Sequence, residues 1–195
     1  EAEQQRTEQA AQQAEEPGQP EPAAPETTPT PFPNDSLAQS AYAQKAGAFS
    51  FTPAEDGFTE LENEVLYLKV SNLGGQIVEA RMKQFVTYDS IPVYLVRESN
   101  ASFNLQLATR DNRLLQTREL YFQPSLTREG DAQVLSMKAK AGPDQYLEYR
   151  YTLKPGEYLL DFDIRSQGLS SVLNPNQEAV LAWQLRGIRH NKSVM

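Results

Sequence analysis

The sequence contains no cysteine, one histidine and one tryptophan among its 195 residues. Without cysteine there can be no disulfides, thiolate nucleophiles or cysteine-ligated metal centres. The histidine, His190, has no serine, cysteine or carboxylate at a catalytic spacing, so we interpret it as a polar surface residue. No stretch combines acidic residues with glycine as a calcium-binding loop does. The sequence therefore predicts no catalytic, cofactor-binding or metal-binding residue, and we expect that the chain is not an enzyme.

Positive charge and long apolar runs are also scarce. There are 18 Lys and Arg residues against 26 Asp and Glu residues, so the net charge is −8. This charge excludes a basic nucleic-acid-binding domain. No apolar run approaches the roughly 18 residues that cross a bilayer. We expect the residues given to form a water-soluble segment with one modest core, since 39% of them are hydrophobic.

Acidic charge and proline are concentrated in residues 1–36. This segment carries −7 of the net charge and seven of the thirteen prolines, and it has no Val, Ile, Leu or Met. Such a segment cannot bury enough apolar surface to offset the entropy of ordering it. We therefore predict a disordered acidic, Pro-rich tether that continues as an Ala/Ser-rich linker, together covering residues 1–57. The folded domain is expected over residues 58–195.

From Phe58 onward the sequence has short runs of β-branched and aromatic residues separated by turn signals, which is typical of antiparallel β-structure. One predicted hairpin joins residues 65–70 to residues 76–83 through Gly74 and Gly75. Another joins residues 146–153 to a strand that starts at residue 158. Weaker strands are expected at residues 93–96, 102–108, 119–123, 134–140 and 179–185. No stretch has convincing helical apolar spacing. The sequence predicts an all-β fold, an antiparallel β-sandwich.

The strand after residue 157 alternates in character. Tyr158, Leu160, Phe162 and Ile164 are predicted to face the core, while Asp161 and Asp163 share the opposite face, with Cα atoms roughly 6.5 Å apart. Paired carboxylates at such a separation can catalyse glycoside hydrolysis or hold a cation. Because the other face of the strand is apolar, we interpret them as two charges on a solvated face.

Three cations near the end of the sequence form a small basic cluster. They are Arg186, Arg189 and Lys192. Such a cluster can contact anionic lipid head groups. We name these three residues as the candidate membrane-surface contact.

Two segments resemble a known family. ENEVLYLKVSNLGGQIVEARMK at residues 62–83 is similar to the opening strand, turn and strand of the large periplasmic domain of the membrane protein insertase YidC. EYRYTLKPGEYLLDFDI at residues 148–164 resembles a later hairpin of that domain, and residues 183–192 resemble its continuation. An acidic Gln/Ala/Glu-rich tether also precedes this domain in Bacteroidetes-like members of the family.

The resemblance implies a β-supersandwich, similar to galactose mutarotase, on the periplasmic side of the bacterial inner membrane. It implies a non-catalytic scaffold or contact module of an insertase and chaperone, which supports the insertion and folding of inner-membrane proteins. The implied partners are nascent membrane proteins and Sec translocon components (SecDF). The implied membrane helices are not in this chain. Family domains extend past the stretch that ends here, so we expect a C-terminally truncated sandwich with an unpaired strand edge.

Two other functions remain open from the sequence. A carbohydrate-binding or mutarotase-like β-sandwich protein would share the implied shape. The single histidine argues against the enzyme, and a binding module would need an exposed tyrosine or Trp183 as a platform. The other reading is a surface-attached adhesion or assembly domain that uses a strand edge as its contact.

Overall fold

The structure, a computed structural model, describes residues 33–189. It begins with helix α1 (Pro33–Ala46), which runs directly into a 3-10 helix at Gly47–Phe51. Of the predicted acidic tether, residues 1–36, all but the last four residues lie outside the described residues, as do His190 and Lys192.

Three antiparallel sheets follow the helices. The first has the order β1-β2-β3-β4 and consists of β1 (Phe58–Glu62), β2 (Leu66–Ser71), β3 (Ile77–Val86) and β4 (Pro92–Val96). The chain then enters the third sheet through β5 (Ala101–Ala108) and β6 (Leu114–Gln116). A 3-10 helix at Thr117–Glu119 leads out of it.

The second sheet is a meander of four consecutive strands with the order β10-β9-β8-β7. It consists of β7 (Gln123–Glu129), β8 (Ala132–Lys140), β9 (Tyr146–Leu153) and β10 (Leu160–Gln167). A 3-10 helix at Leu169–Ser171 precedes β11 (Val180–Leu185), which completes the third sheet in the order β11-β5-β6. The predicted fold class, an all-β antiparallel sandwich, is confirmed.

One hydrophobic core joins side chains from all three sheets. Burial alternates along β2, where Leu66, Leu68 and Val70 are buried and the residues between them are half-exposed. This is the period of two that a strand with one face on a core requires. The largest fully buried side chains include Tyr149 on β9 and Phe122 just before β7.

Both predicted hairpins are confirmed. Gly74 and Gly75 turn the chain between β2 and β3 with φ of 79° and 59°, values that a side chain would disfavour. Gly156 has φ of 66° in the turn between β9 and β10. Positive φ at glycine is what makes these tight connections possible.

The strand predicted at residues 119–123 is wrong. Leu120 and Phe122 are buried, but they lie in an irregular stretch between the 3-10 helix and β7. The backbone of this stretch bonds to the β2–β3 turn: Gly74 N donates to Leu120 O at 2.8 Å, and Phe122 N donates to Asn72 O at 2.8 Å. An apolar run thus fills the core without joining a ladder, a difference that residue type alone does not encode.

The segment before Phe58 contributes to the core. Tyr42, Ala46 and Phe49 are buried within the same hydrophobic cluster as the sheets. The Tyr42 hydroxyl accepts a hydrogen bond from Tyr121 N at 2.9 Å, and its ring packs edge-on against the Tyr121 ring at 5.1 Å. Whereas the sequence predicts only a linker at residues 37–57, the structure has a helix and a 3-10 helix that cover one side of the sandwich.

Candidate functional site: an apolar cleft

The candidate site lies between two strand edges. β10 ends the second sheet and β11 ends the third, and neither pairs with another strand on its free side within residues 33–189. Between them is a cleft with a volume of about 290 Å³. It is lined by Gln76, Ile77, Val96, Ala101, Ser102, Phe103, Tyr151, Leu160, Phe162, Trp183 and Leu185. No lining residue is charged.

The wall on the side of the third sheet comes from the pairing of β11 with β5. Trp183 lies opposite Phe103, and Leu181 lies opposite Leu105. Opposite residues in an antiparallel pair share a face of the sheet, and Leu105 is buried. The odd-numbered residues of β11 therefore point to the core side, yet Trp183 is 72% exposed because nothing described covers it.

The other wall is β10, whose apolar face is only partly covered. The sequence predicts that this face is buried, but Phe162 is 37% and Ile164 39% exposed. On the adjacent β9, the opposing residues Tyr151 and Tyr149 are buried. The apolar alternation was predicted correctly, and the position of β10 at the sheet edge leaves its face open.

Aromatic rings form the floor of the cleft. The ring of Phe162 stacks on that of Tyr151 with centroids 4.8 Å apart. It also meets Phe103 edge-on at 5.3 Å. Phe103 in turn contacts Tyr149 edge-on at 5.4 Å. Offset-stacked and edge-on contacts are the favourable arrangements for aromatic pairs, so the floor is a packed apolar surface.

The two tyrosines beneath the floor remain neutral at physiological pH. Burial raises the pKa of Tyr149 to about 12, with a smaller opposing effect from the Thr117 hydroxyl. Burial likewise raises the pKa of Tyr151, whose hydroxyl donates to Gly75 O at 2.6 Å. The cleft therefore offers apolar contact area lined by uncharged side chains.

Asp161 and Asp163 lie on the exposed face of β10, away from the cleft. Asp161 pairs with Lys154 at 3.0 Å, and this hydrogen bond raises the pKa of Lys154. Asp163 pairs with Arg165 at 3.3 Å. Each carboxylate thus has a cation beside it. Within residues 33–189 no group of three or more His, Cys, Asp or Glu residues is arranged to hold a metal ion.

The candidate membrane contact is described only in part. Arg186 and Arg189 follow β11 and are exposed, while Lys192 lies outside the described residues. Asn100 joins this end to the β4–β5 turn: its Nδ2 donates to Arg186 O at 2.8 Å, and its Oδ1 accepts from Arg97 N at 2.8 Å. Only the fold brings Arg97 to this end, where its guanidinium is paired with Glu98 at 2.8 Å.

The sequence did not predict the cleft itself. It predicts that Phe162 lies on a buried strand face. The single tryptophan, Trp183, is considered there only as a platform for a sugar.

None of the helices in the described part of the chain has the length and apolarity to cross a membrane. The family model for the YidC periplasmic domain matches residues 59–192. No solved structure matches the chain significantly.

Curated relatives named "Membrane protein insertase YidC" match most of the chain. The one from Parabacteroides distasonis is 36% identical over 77% of this chain and 24% of its own length. One from Porphyromonas gingivalis is 37% identical over 82% of this chain and 25% of its own length. One from Bacteroides fragilis is 31% identical over 71% of this chain and 22% of its own length. The matched region thus spans about a quarter of these relatives. With a family model covering most of its residues, the chain belongs to the family of YidC periplasmic domains.

Proposed function

We propose that this chain is the periplasmic domain of a YidC-like membrane protein insertase. In this proposal it is a non-catalytic contact module that supports the insertion and folding of inner-membrane proteins. Family membership and the names of the relatives support this function. The observation that carries the mechanism is the uncharged aromatic cleft between β10 and β11.

The cleft suits an apolar segment of a nascent membrane protein. Burial of apolar surface stabilises such a contact by roughly 25 cal/mol per Å². The free edge of β11 offers backbone hydrogen-bonding groups that an extended segment can pair with. A charged segment would lose its hydration and find no counter-ion among the lining residues. The cleft would thus discriminate by hydrophobicity and tolerate many sequences.

The proposed location is the periplasmic side of the inner membrane, where Sec translocon components (SecDF) are proposed as further partners. The exposed Arg186 and Arg189, with Lys192, are proposed to face anionic lipid head groups. Attraction of this kind is confined to about a Debye length, roughly 8 Å at physiological salt. The contact would therefore orient the domain when it is already close to the membrane.

Photo-crosslinking to an arrested nascent chain tests the cleft. A photoreactive phenylalanine analogue replaces Trp183, and in a control it replaces Leu126, an exposed residue on the far edge strand β7. We expect crosslinks to a nascent membrane protein from position 183 and none from position 126. Equal crosslinking from both positions, or none from position 183, would contradict the proposal.

Liposome flotation tests the basic cluster. Replacing Arg186, Arg189 and Lys192 with glutamine should reduce flotation with anionic vesicles and leave the free energy of unfolding unchanged, since the two described cations are exposed. A variant with Lys69, Arg128 and Lys140 replaced by glutamine has the same net charge and serves as the control. Equal flotation of both variants would remove the basic cluster from the proposal.

The exposure of Trp183 also favours one alternative, a carbohydrate-binding module that stacks a sugar on this ring. The cleft has few polar groups for sugar hydroxyls. They are Gln76 and Ser102, and Gln76 Oε1 already accepts a hydrogen bond from Phe103 N at 3.1 Å. Glycan-array binding that disappears in Trp183→Ala would establish this alternative, and we expect no such binding.

A further inference from the structure

The free edge of β10 has a pattern of charge that is complementary to itself. β10 is hydrogen-bonded to β9 on one side and to no strand on the other within the described part of the chain. A strand edge of eight residues is a template for pairing with another strand. Edges that avoid such pairing carry charged side chains, bulges, prolines or inward-pointing charges. Residues 160–167 are without proline, and their inward-pointing residues, Leu160, Phe162, Ile164 and Ser166, are uncharged.

The charges on the exposed face of the sheet indicate which charges a strand paired with the free edge of β10 should have. On this face Asp163 of β10 lies opposite Arg150 of β9, and Arg165 lies opposite Glu148. Asp163 and Arg165 are thus neighbours of unlike charge along β10, and each also faces an unlike charge on β9. Directly opposed unlike charges stabilise a strand pair, and like charges destabilise it. A strand added beyond β10 should place a cation opposite Asp163 and an anion opposite Arg165.

We propose that this strand is β10 of a second copy of the chain, paired antiparallel about a two-fold axis that passes through Ile164. In this register, Asp163 of each copy lies opposite Arg165 of the other. Ile164 lies opposite its own counterpart on the inner face. The two four-stranded sheets join into one sheet of eight strands. A two-fold contact of this kind uses the same surface on both copies and closes on itself.

Charge selects this register over its neighbours. Opposite residues in an antiparallel pair share a face of the sheet. The inner faces of the two copies therefore lie on the same side only when the two-fold axis passes through a residue and not between two residues. An axis at Asp163 would place the two copies of Asp163 directly opposite each other. An axis at Phe162 would place Asp161 opposite Asp163 twice. Only the axis at Ile164 brings the two anion–cation pairs together without a pair of opposed like charges.

The inner face gains from the same pairing. Phe162 and Ile164 are each more than one third exposed in the single chain. Contact between the two copies of Ile164 removes apolar surface from water next to the aromatic floor of the cleft. This inference does not depend on the proposed insertase function, since it rests on the charges and edge of β10 alone.

Single cysteines test the register, because the chain has none of its own. In Ile164→Cys the two sulfurs would face each other across the axis, where opposed Cα atoms are about 4.5 to 5.5 Å apart, within the range of a disulfide. In the control Phe162→Cys the two positions are offset by four residues, roughly 13 Å along the strand. Under mild oxidation of the full 195-residue chain, we expect a disulfide dimer from Ile164→Cys and none from Phe162→Cys.

Sedimentation equilibrium of cysteine-free variants tests the charge pairing. Asp163→Ala removes both proposed pairs and should weaken the dimer roughly two- to thirtyfold. Asp161→Ala is the matched control: it removes an anion from the same face of β10, but in this register Asp161 lies opposite the uncharged Gln167 of the second copy. Its dimer should dissociate as the unmodified chain does.

Several results of these experiments would contradict the proposed dimer. A chain that stays monomeric at every concentration overturns the proposal, as does cross-linking of Phe162→Cys in place of Ile164→Cys. Cross-linking of Trp183→Cys alone would place the contact at the edge of β11 and also overturn it. An equal effect of Asp161→Ala and Asp163→Ala would show that charge pairing does not set the register.

Discussion

Gly75 combines a positive φ with close packing. Its φ is 59°, and a Cβ atom there would lie 3.0 Å from ring carbons of both Phe122 and Tyr149. Gly130 has nearly the same φ, 60°, but nothing lies within 4 Å of its Cβ position. Alanine substitutions at these two glycines therefore separate the free-energy cost of a left-handed backbone from the cost of steric crowding.

Gly75→Ala should lower the free energy of unfolding by about 2 to 4 kcal/mol, since the left-handed backbone costs about 1 to 2 kcal/mol and crowding in a packed core adds to it. Gly130→Ala should lower the free energy of unfolding only by the cost of the left-handed backbone, about 1 to 2 kcal/mol. Urea unfolding of the two variants measures the difference. Equal losses would mean that the rings next to Gly75 move aside freely.

The raised pKa of Tyr149 predicts that the folded chain loses stability at alkaline pH. Burial raises its pKa to about 12, above the ordinary value near 10. Between these values the folded state holds the proton more tightly than the unfolded state, so stability falls as pH rises. The single group contributes at most about 1.4 kcal/mol per pH unit.

Tyr149→Phe removes this contribution. Between pH 10 and 12 the slope of unfolding free energy against pH should be shallower by about one proton than in the unmodified chain. Urea unfolding at a series of pH values measures the slope. An unchanged slope would mean that Tyr149 ionises in the folded state as readily as in the unfolded one. The other buried tyrosines remain, so some alkaline loss should persist.

At the scale of elements, the segment before the first strand stabilises the sandwich. Phe49 in the first 3-10 helix is fully buried, whereas Phe51 two residues later is 55% exposed. Tyr42 on α1 packs into the same cluster. This segment is therefore part of the folded domain.

Phe49→Ala should cost about 3 to 5 kcal/mol of unfolding free energy, because it leaves a cavity in the core. Phe51→Ala should cost less than about 1 kcal/mol, since its ring is largely in water. Thermal or urea unfolding of both variants gives the comparison. A loss below about 1 kcal/mol for Phe49→Ala would show that α1 and the 3-10 helix are not part of the cooperative unit.

Local patterns explain which elements the sequence could predict. The hairpins at Gly74–Gly75 and at Gly156 combine turn glycines with alternating apolar residues, and both signals lie within a few positions. α1 has no apolar stripe, so its burial depends on distant partners such as Tyr121. The stretch at Leu120 and Phe122 has strand-like composition but bonds to the β2–β3 turn. The structures of α1 and of the stretch at Leu120 and Phe122 therefore depend on contacts between residues far apart in the sequence.

The same reasoning applies to the candidate site. The apolar rows of β10 and β11 are visible in the sequence as alternation around Phe162 and Trp183. That both strands end their sheets depends on the strand order, which alternation does not encode. The sequence therefore predicted the apolar face of β10 and described it as buried, but it did not bring that face together with Trp183.

At the scale of the whole molecule, the fold leaves an uncharged aromatic cleft between two open strand edges. Family membership connects this domain to membrane protein insertases, and the cleft is where the proposed contact with an apolar segment would occur. The account depends on the cleft being open in the folded chain. Trp183, the single tryptophan, lies on its wall and is 72% exposed.

Fluorescence of Trp183 is therefore the most direct measurement. In the folded chain at low concentration, we predict an emission maximum close to that of indole in water and ready quenching by acrylamide. An apolar peptide in extended form should shift the emission to shorter wavelength and protect it from quenching, while a charged peptide of equal length should not. Blue-shifted, protected emission from the folded chain alone would show that the cleft is closed and would contradict the account.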